Sequence, residues 1–109
     1  MLPNAELAIV EPAKVRDYLL SASHPVGRFK AAVFFALRYG ADEWQLLQRD
    51  LLSLARTGEA RLGQDGPYGQ KYEVSGILRG PSGRQAIFTT VWLVAAGSGV
   101  PRFVIAFPG

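Results

Sequence analysis

The sequence contains no cysteine and only one histidine, His24. Without cysteine the chain forms neither a disulfide framework nor a thiolate metal site. One histidine and scattered carboxylates give no cluster with metal-ligand spacing. A glycine-rich nucleotide motif is also missing, because Gly80-Pro81-Ser82-Gly83 has the composition of a hairpin turn rather than of a phosphate loop. We therefore expect no metal and no other cofactor.

Long hydrophobic runs are lacking as well. The most apolar run, residues 31–37, is far shorter than the ~20 residues that a membrane span needs. The N-terminus has neither the basic start nor the long apolar core of a signal peptide. We expect no membrane partner, and either a cytoplasmic protein or a C-terminal module delivered as part of a larger polypeptide.

Size and charge bound the remaining possibilities. A chain of 109 residues with 49% hydrophobic residues fits a single globular domain, residues 1–109. Lysine and arginine outnumber aspartate and glutamate by 12 to 9, a net charge of +3. This balance favours an anionic partner without identifying it.

The spacing of apolar residues predicts three helices in the first half of the chain. The first begins at Glu11-Pro12 and the second runs from about Ser23 to Tyr39. The third begins at Asp42, which with Gln45 resembles a capping box, and ends at Thr57-Gly58.

After Glu59 the period changes to two, which predicts strands over residues 72–78, 85–94 and 102–107. Turns are expected at 79–83 and 95–101, and a loop at 64–69. Both faces of the 85–94 segment are apolar, so it should lie inside the sheet. The predicted fold is α+β, with three N-terminal helices packed on one face of a three- to four-stranded antiparallel β-meander.

The start of the second helix carries an unusual charge. Pro25 suits a first helical turn and Ser23 is a good N-cap. A helix N-terminus prefers acidic residues, yet this one carries His24, Arg28 and Lys30. Cations around free backbone N–H groups would make an anion site. In the alternative interpretation, His24 helps to cap the helix and the two cations lie on a solvated face.

Several motifs resemble a small uncharacterised bacterial domain family. They are Leu2-Pro3-Asn4-Ala5, Tyr18-Leu19-Leu20, His24-Pro25-Val26-Gly27-Arg28, Pro67-Tyr68-Gly69-Gln70, Gly80-Pro81 with Gly83-Arg84, Thr90-Val91-Trp92 and Pro101-Arg102-Phe103-Val104. The resemblance covers nearly the whole chain and brings no settled activity with it. The family's layout is similar to the barnase–EndoU–colicin–RelE-like ribonuclease modules of bacterial toxins, a likeness of fold alone. It implies a tyrosine where this chain has Phe107.

These features lead to a hypothesis of RNA binding with metal-independent RNA cleavage, in which the 2′-OH attacks the adjacent phosphate. That reaction needs a proton acceptor, a proton donor and cations around the phosphoryl oxygens. The predicted catalytic residues are His24, Lys30, Lys71 and Arg84; the predicted substrate contacts are Arg28, Tyr68, Thr90 and Arg102. The expected partners are RNA and a cognate neutralising protein.

Two other interpretations stay open. In the first, the chain is a non-catalytic interaction or accessory domain, or itself a neutralising protein, although its basic charge counts against the last role. Lys71 would then be a surface residue, Thr90 a strand residue of suitable shape, and Arg102 a guard against edge-strand aggregation. In the second, the chain acts on another phosphate-bearing small molecule.

Overall fold

The computed structural model describes residues 2–16, 34, 37, 39 and 41–109. The short elements are a 3-10 turn (Ala5–Leu7), the single helical turn α1 (Pro12–Lys14) and a second 3-10 turn (Ala41–Glu43). The long elements are helix α2 (Trp44–Thr57) and strands β1 (Glu59–Gly66), β2 (Gly69–Arg79), β3 (Gln85–Ala95) and β4 (Pro101–Pro108). Across these ranges, no helix has the length and apolar character that crossing a membrane requires.

The four strands form one antiparallel sheet in the order β1-β2-β3-β4. Strands β2 and β3 are interior, and they pair without interruption from Gly69 opposite Ala95 to Arg79 opposite Gln85. The apolar character of β3 on both faces thus matches its interior position. Gly83, with φ of +87°, lies in the turn that joins β2 to β3 and adopts a conformation that favours glycine.

The N-terminal segment covers the start of the edge strand β4. Ile9 lies parallel to Arg102. Its N–H donates to the carbonyl of Pro101, and its carbonyl accepts from the N–H of Phe103, both at 2.9 Å. The side chain of Asn4 adds a bond of 2.9 Å to the carbonyl of Gly99.

Helix α2 packs on one side of the sheet, which we call the core face; the other side is the open face. The helix buries a stripe at helical spacing, and the sheet supplies alternate residues of its strands. The buried members are Leu47, Leu51, Leu54 and Ala55 from α2, and Val74, Leu78, Phe88, Trp92, Phe103 and Ala106 from the strands. Gly76 lets the helix approach closely, since a side chain there would come within 3.1 Å of Leu54.

The prediction of three helices packed on the sheet is wrong. In the residues that the structure describes, the architecture is mostly β, with α2 as the one long helix. Of the segment expected to form the first helix, the described part consists of α1 (Pro12–Lys14) and a π-helical turn at 15–16, and the remainder lies outside the described residues. The second predicted helix falls mostly outside the described residues.

Two boundaries also differ from their predictions. The 64–69 loop is in fact the end of β1 and the start of β2, joined by the short turn at Pro67 and Tyr68. The cap residue of α2 is Glu43, which makes no side-chain capping bond, so the Asp42 capping box does not start this helix. The other predicted strands and the end of α2 are confirmed.

Candidate functional site

A β-bulge in β4 shapes the open face. Val91 pairs with Ile105 whereas the next residue, Trp92, pairs with Phe103, so Val104 has no partner on β3. Phe103 and Ala106 are both buried in the core. The bulge therefore places two successive apolar residues, Val104 and Ile105, on the open side of the strand.

Three depressions on the open side of the sheet meet at the bulge. All three share Val104, and the largest has a volume of about 610 Å³. We call them together the bulge groove. Its main lining residues are Lys14, Gln64, Tyr68, Lys71, Leu93, Val104 and Ile105.

Two lysines flank the bulge from opposite sides. Lys14 comes from α1, and its Nζ lies 3.4 Å from the carbonyl oxygen of Val104. Lys71 projects from β2 and lines the groove together with Val104. Among the residues that the structure describes, neither lysine forms an ion pair. Both charges are thus available to an anionic ligand.

The carboxylates at the groove are mostly compensated. Glu73 pairs with Arg61 at 3.1 Å, and Glu11 pairs with Arg102 at 2.7 Å. Asp65 lines the hairpin end, where its Oδ1 accepts the N–H of Gly66 at 3.0 Å. With both glutamates paired, the two lysines outweigh this one carboxylate, and the groove keeps a small positive excess.

The structure brings two of the predicted residues together and separates a third from them. Tyr68 is 80% exposed in the β1–β2 turn and lines the same depression as Lys71. Lys71 lies near the start of β2, whereas Arg84 lies in the turn after the end of β2, next to the pair of Arg79 and Gln85. Eight residues of strand separate Lys71 from Arg79, a distance of about 26 Å. Lys71 and Arg84 therefore do not share one cavity.

Thr90 lies on the core face, away from the groove. Its side chain is fully buried. The hydroxyl donates to the carbonyl of Val74 and accepts from Nε1 of Trp92, both at 2.8 Å. These two bonds use the hydroxyl inside the core, so its described role is to satisfy a buried indole N–H.

Arg102 lies at the β4 edge of the groove, opposite Leu93. Its ion pair with Glu11 fixes the arm that covers this edge. His24, Arg28 and Lys30 lie outside the described residues, and their proposed roles stay predictions.

The sequence prediction missed Lys14 and the bulge at Val104. Nothing in the sequence near Lys14 points to a site, because Lys14 reaches Val104 only through the packing of α1 against β4. One signal of the bulge was present: Phe103 and Ala106 are both apolar but three positions apart, which breaks the alternation of a regular strand.

The end of the open face that lies away from the bulge groove is apolar and exposed. Ile77 and Ile87 are cross-strand partners, each 60% exposed, and Phe107 lies diagonal to Ile87 with 38% exposure. We call these three residues the isoleucine patch. Six residues of β2 separate Ile77 from Lys71, about 20 Å along the strand. Phe107, the position where the family resemblance implies a tyrosine, is thus on the open face.

A buried phenol links three parts of the structure. The hydroxyl of Tyr39 donates to the carboxylate of Asp50 on α2 and also lies 3.2 Å from the carbonyl of Arg79 on β2. Burial, together with the hydrogen bond and negative charge of Asp50, raises the pKa of Tyr39 far above its ordinary value. Because the phenol stays protonated, it serves as a fixed hydrogen-bond donor.

The fold defines a class of small domain in which one antiparallel sheet carries a helix on one face and leaves the other face open. A solved structure has the same fold: one chain of the "Contact-dependent growth inhibition toxin - immunity protein complex from Klebsiella pneumoniae 342". The TM-score is 0.69, and the match covers 95% of each chain at 18% sequence identity. No curated protein matches the sequence significantly.

The family follows from the sequence itself. The model of the family described as "Domain of unknown function (DUF6883)" matches residues 1–109, so the chain belongs to that family. This match confirms the resemblance to an uncharacterised domain family.

Proposed function

We propose that this chain is a toxin-like module that binds RNA in the bulge groove and cleaves it without a metal ion. The observation that carries the proposal is the placement of Lys14 and Lys71 on the two sides of one groove, with the exposed ring of Tyr68 at its hairpin end. The net charge of +3 has the sign that attracts a polyanion.

Single-stranded RNA matches the chemistry of this groove. Its phosphates seek cations, which Lys14 and Lys71 offer without competing ion pairs among the described residues. Its unpaired bases stack on aromatic rings, and Tyr68 is 80% exposed at the hairpin end of the groove. The apolar floor at Val104 and Ile105 gives the sugars and bases a surface to contact.

The proposed cleavage is an internal transesterification. The 2′-oxygen forms a bond to phosphorus, the bond from phosphorus to the 5′-oxygen breaks, and a 2′,3′-cyclic phosphate remains. A base removes the proton of the 2′-OH, and an acid protonates the departing 5′-oxygen. We assign His24 as the base that accepts the 2′-OH proton, because imidazole titrates near neutral pH, and water supplies the proton to the departing 5′-oxygen. Lys71 stabilises charge on the phosphoryl oxygens.

The structural neighbour fits a module that belongs to a toxin–immunity pair. It is one chain of a complex of a toxin with an immunity protein, and the match covers 95% of this chain. By analogy, we propose that a cognate protein neutralises this module. Because proteins of one fold can have different activities, the RNA cleavage proposed for this chain is tested by direct assay.

Incubation with total bacterial RNA in the presence of EDTA tests the catalytic proposal. We expect discrete cleavage products with 2′,3′-cyclic phosphate ends from the wild type, and a loss of at least about 100-fold in rate for His24→Ala. Circular dichroism confirms that the variant is folded. Unchanged cleavage by His24→Ala would remove this residue from the mechanism, and no cleavage by the folded wild type would refute the ribonuclease proposal.

Binding to a fluorescent single-stranded RNA tests the groove independently of cleavage. We expect Lys71→Gln and Lys14→Gln each to weaken binding and to reduce the slope of log K against log salt by about 1, since each removes a phosphate contact. Arg56→Gln is the matched control, because Arg56 is exposed on α2 and makes only a 3.5 Å bond to the carbonyl of Glu6. An equal loss in the control would show that only the total charge matters.

A further inference from the structure

The isoleucine patch lies between two exposed charges of opposite sign. Arg79 follows Ile77 by two positions on β2, so it shares the open side of the sheet. Glu59, at the start of β1, pairs with Ser75 and therefore lies diagonal to Ile77 on the same face. Along β2 the arginine lies beyond Ile77 and the glutamate lies before it. The patch thus carries a cation at one end and an anion at the other.

Neither charge is neutralised within the described part of the chain. The side chains of Arg79 and Glu59 form no ion pair with another described residue. Asp50 lines a depression together with Arg79, but its carboxylate is already bonded to Tyr39 and Arg49. Both exposed charges are therefore available to a second molecule that covers the patch.

From this arrangement we infer that the isoleucine patch is the contact surface of a symmetric dimer, formed with a second copy of this chain. Consider a two-fold axis between two facing sheets that runs across the strands at the level of Ile77. It reverses the strand direction of the second copy and brings Ile77 and Ile87 of the two copies together. Because Ser75 and Arg79 are equally far from Ile77, Arg79 of each copy then faces Ser75 of the other, next to Glu59. One surface therefore supplies both halves of two ion pairs.

The mixed charge at the patch favours a second copy over a partner of one sign. An acidic protein would bring negative charge toward Glu59, and a basic protein would bring positive charge toward Arg79, whereas a second copy meets each with its opposite. The net charge of +3 on each copy is small, and salt screens charges that lie more than about 8 Å apart.

The polar row beside the patch can be covered without leaving a hydroxyl unsatisfied. The hydroxyl of Ser75 lies 3.1 Å from that of Thr89, which donates to the carbonyl of Gly109 at 2.6 Å. These groups already have partners within the chain, so contact with a second sheet removes no bond that they need. Contact also takes the 60% exposed surfaces of Ile77 and Ile87 out of water, which is favourable.

The contact is short and leaves the bulge groove open. The two copies overlap from Ser75 to Arg79, about 13 Å of strand, and extend away from each other beyond it. Lys71 lies about 13 Å further along β2, outside the overlap. An overlap of this length belongs to the class of small interfaces, for which we expect a dissociation constant of about 10–300 µM. Dimer formation requires neither RNA nor cleavage, so it is separate from the proposed activity.

Sedimentation equilibrium of the purified chain, at about 5 µM to 1 mM to span this range, tests the dimer. We expect the wild type to shift from monomer to dimer, and Ile87→Glu to weaken association by at least about 30-fold, the effect of losing a strong interface anchor. Leu62→Glu is the matched control, because Leu62 is 73% exposed on β1 outside the patch. Its dissociation constant should stay within about twofold of the wild type, as for a residue outside the contact. Circular dichroism checks that each variant is folded.

A charge exchange tests the two-fold arrangement itself. Glu59→Arg and Arg79→Glu each place like charges against each other twice in the dimer, so each should weaken association by about 10-fold. The double variant with both substitutions restores opposite charges across the axis and should return to within about threefold of the wild type. Both positions are exposed, so these variants keep the test decisive even if Ile87→Glu does not fold.

Weakening by Ile87→Glu or by the single charge variants, with recovery in the double variant, supports the dimer. A wild type that stays monomeric up to about 1 mM, well above the expected range, overturns it and leaves the patch to another occupant. A wild-type dimer that folded Ile87→Glu does not weaken overturns it as well, because association would then use another surface. Failure of the double variant to recover would exclude this two-fold contact.

Discussion

The two faces of β3 carry neighbouring residues of similar chemistry in opposite environments. Phe88 is fully buried and stacks on Phe34 with ring centroids 5.2 Å apart, whereas Ile87, one position earlier, is mostly exposed. The two threonines differ in their partners rather than in burial: both are buried, but the hydroxyl of Thr90 bonds to Val74 in the core, whereas that of Thr89 donates to the carbonyl of Gly109 at 2.6 Å on the other side of the strand. The comparison shows that the core face holds the fold together and leaves the open face available for ligands.

The sharpest test of this comparison pairs Phe88→Ala with Ile87→Ala. We expect Phe88→Ala to lower the free energy of unfolding by about 3–5 kcal/mol, because it leaves a cavity beside Phe34. Ile87→Ala should cost less than about 1 kcal/mol, since most of its side chain is already in water. Urea denaturation measures both values. Comparable losses would contradict the division between the faces.

A second test compares the two threonines. Thr90→Val should lower the free energy of unfolding by about 1–3 kcal/mol, because the buried Nε1–H of Trp92 loses its acceptor. Thr89→Val should cost less than about 1 kcal/mol, since the terminal carbonyl that it releases can bind water. If the two substitutions had equal effects in urea denaturation, the indole bond would not be a distinguishing feature of the core face.

The smallest expected effect concerns the phenol beneath the core face. The pKa of Tyr39 is raised in the folded state, whereas in the unfolded chain it is about 10. The protonated, hydrogen-bonded phenol therefore stabilises the fold fully below pH ~10, and this contribution is lost as the pH rises above that value toward the folded pKa. We expect Tyr39→Phe to be roughly 1 kcal/mol less stable at neutral pH, and this difference to shrink under alkaline conditions.

The control for this measurement is Tyr68→Phe, because Tyr68 is exposed in a turn. Its free energy of unfolding should follow that of the wild type throughout the alkaline range. A constant difference between wild type and Tyr39→Phe across the same range would contradict the raised pKa.

Patterns that depend on neighbouring residues predicted this fold best. The alternation in β2 and β3, the turn around Pro81 and the helical stripe of α2 all correspond to observed elements. Strand β1 was harder to predict, because the sequence Glu-Ala-Arg-Leu-Gly-Gln-Asp-Gly contains few residues that favour strands. The strand conformation of β1 is instead stabilised by its hydrogen-bonded pairing with β2.

Features that depend on distant contacts were not predictable from spacing. The arm at Ile9 is held by β4, more than ninety positions away, so its conformation does not follow from its own residues. The same limit applies to the candidate site. Tyr68 and Lys71 were predicted together because they are close in sequence, whereas Lys14 joins them only through the fold of β4.

The bulge at Val104 depends on a single extra residue in β4. It exists because β4 has one residue more than its partner strand needs, so the length of the strand differs from that of a regular strand by a single codon. Deletion of that codon would restore continuous alternation between Phe103 and Ala106, and would remove the apolar residue that lies between Lys14 and Lys71. Deletion of one residue at the bulge would therefore alter the groove while keeping the buried side of the sheet intact.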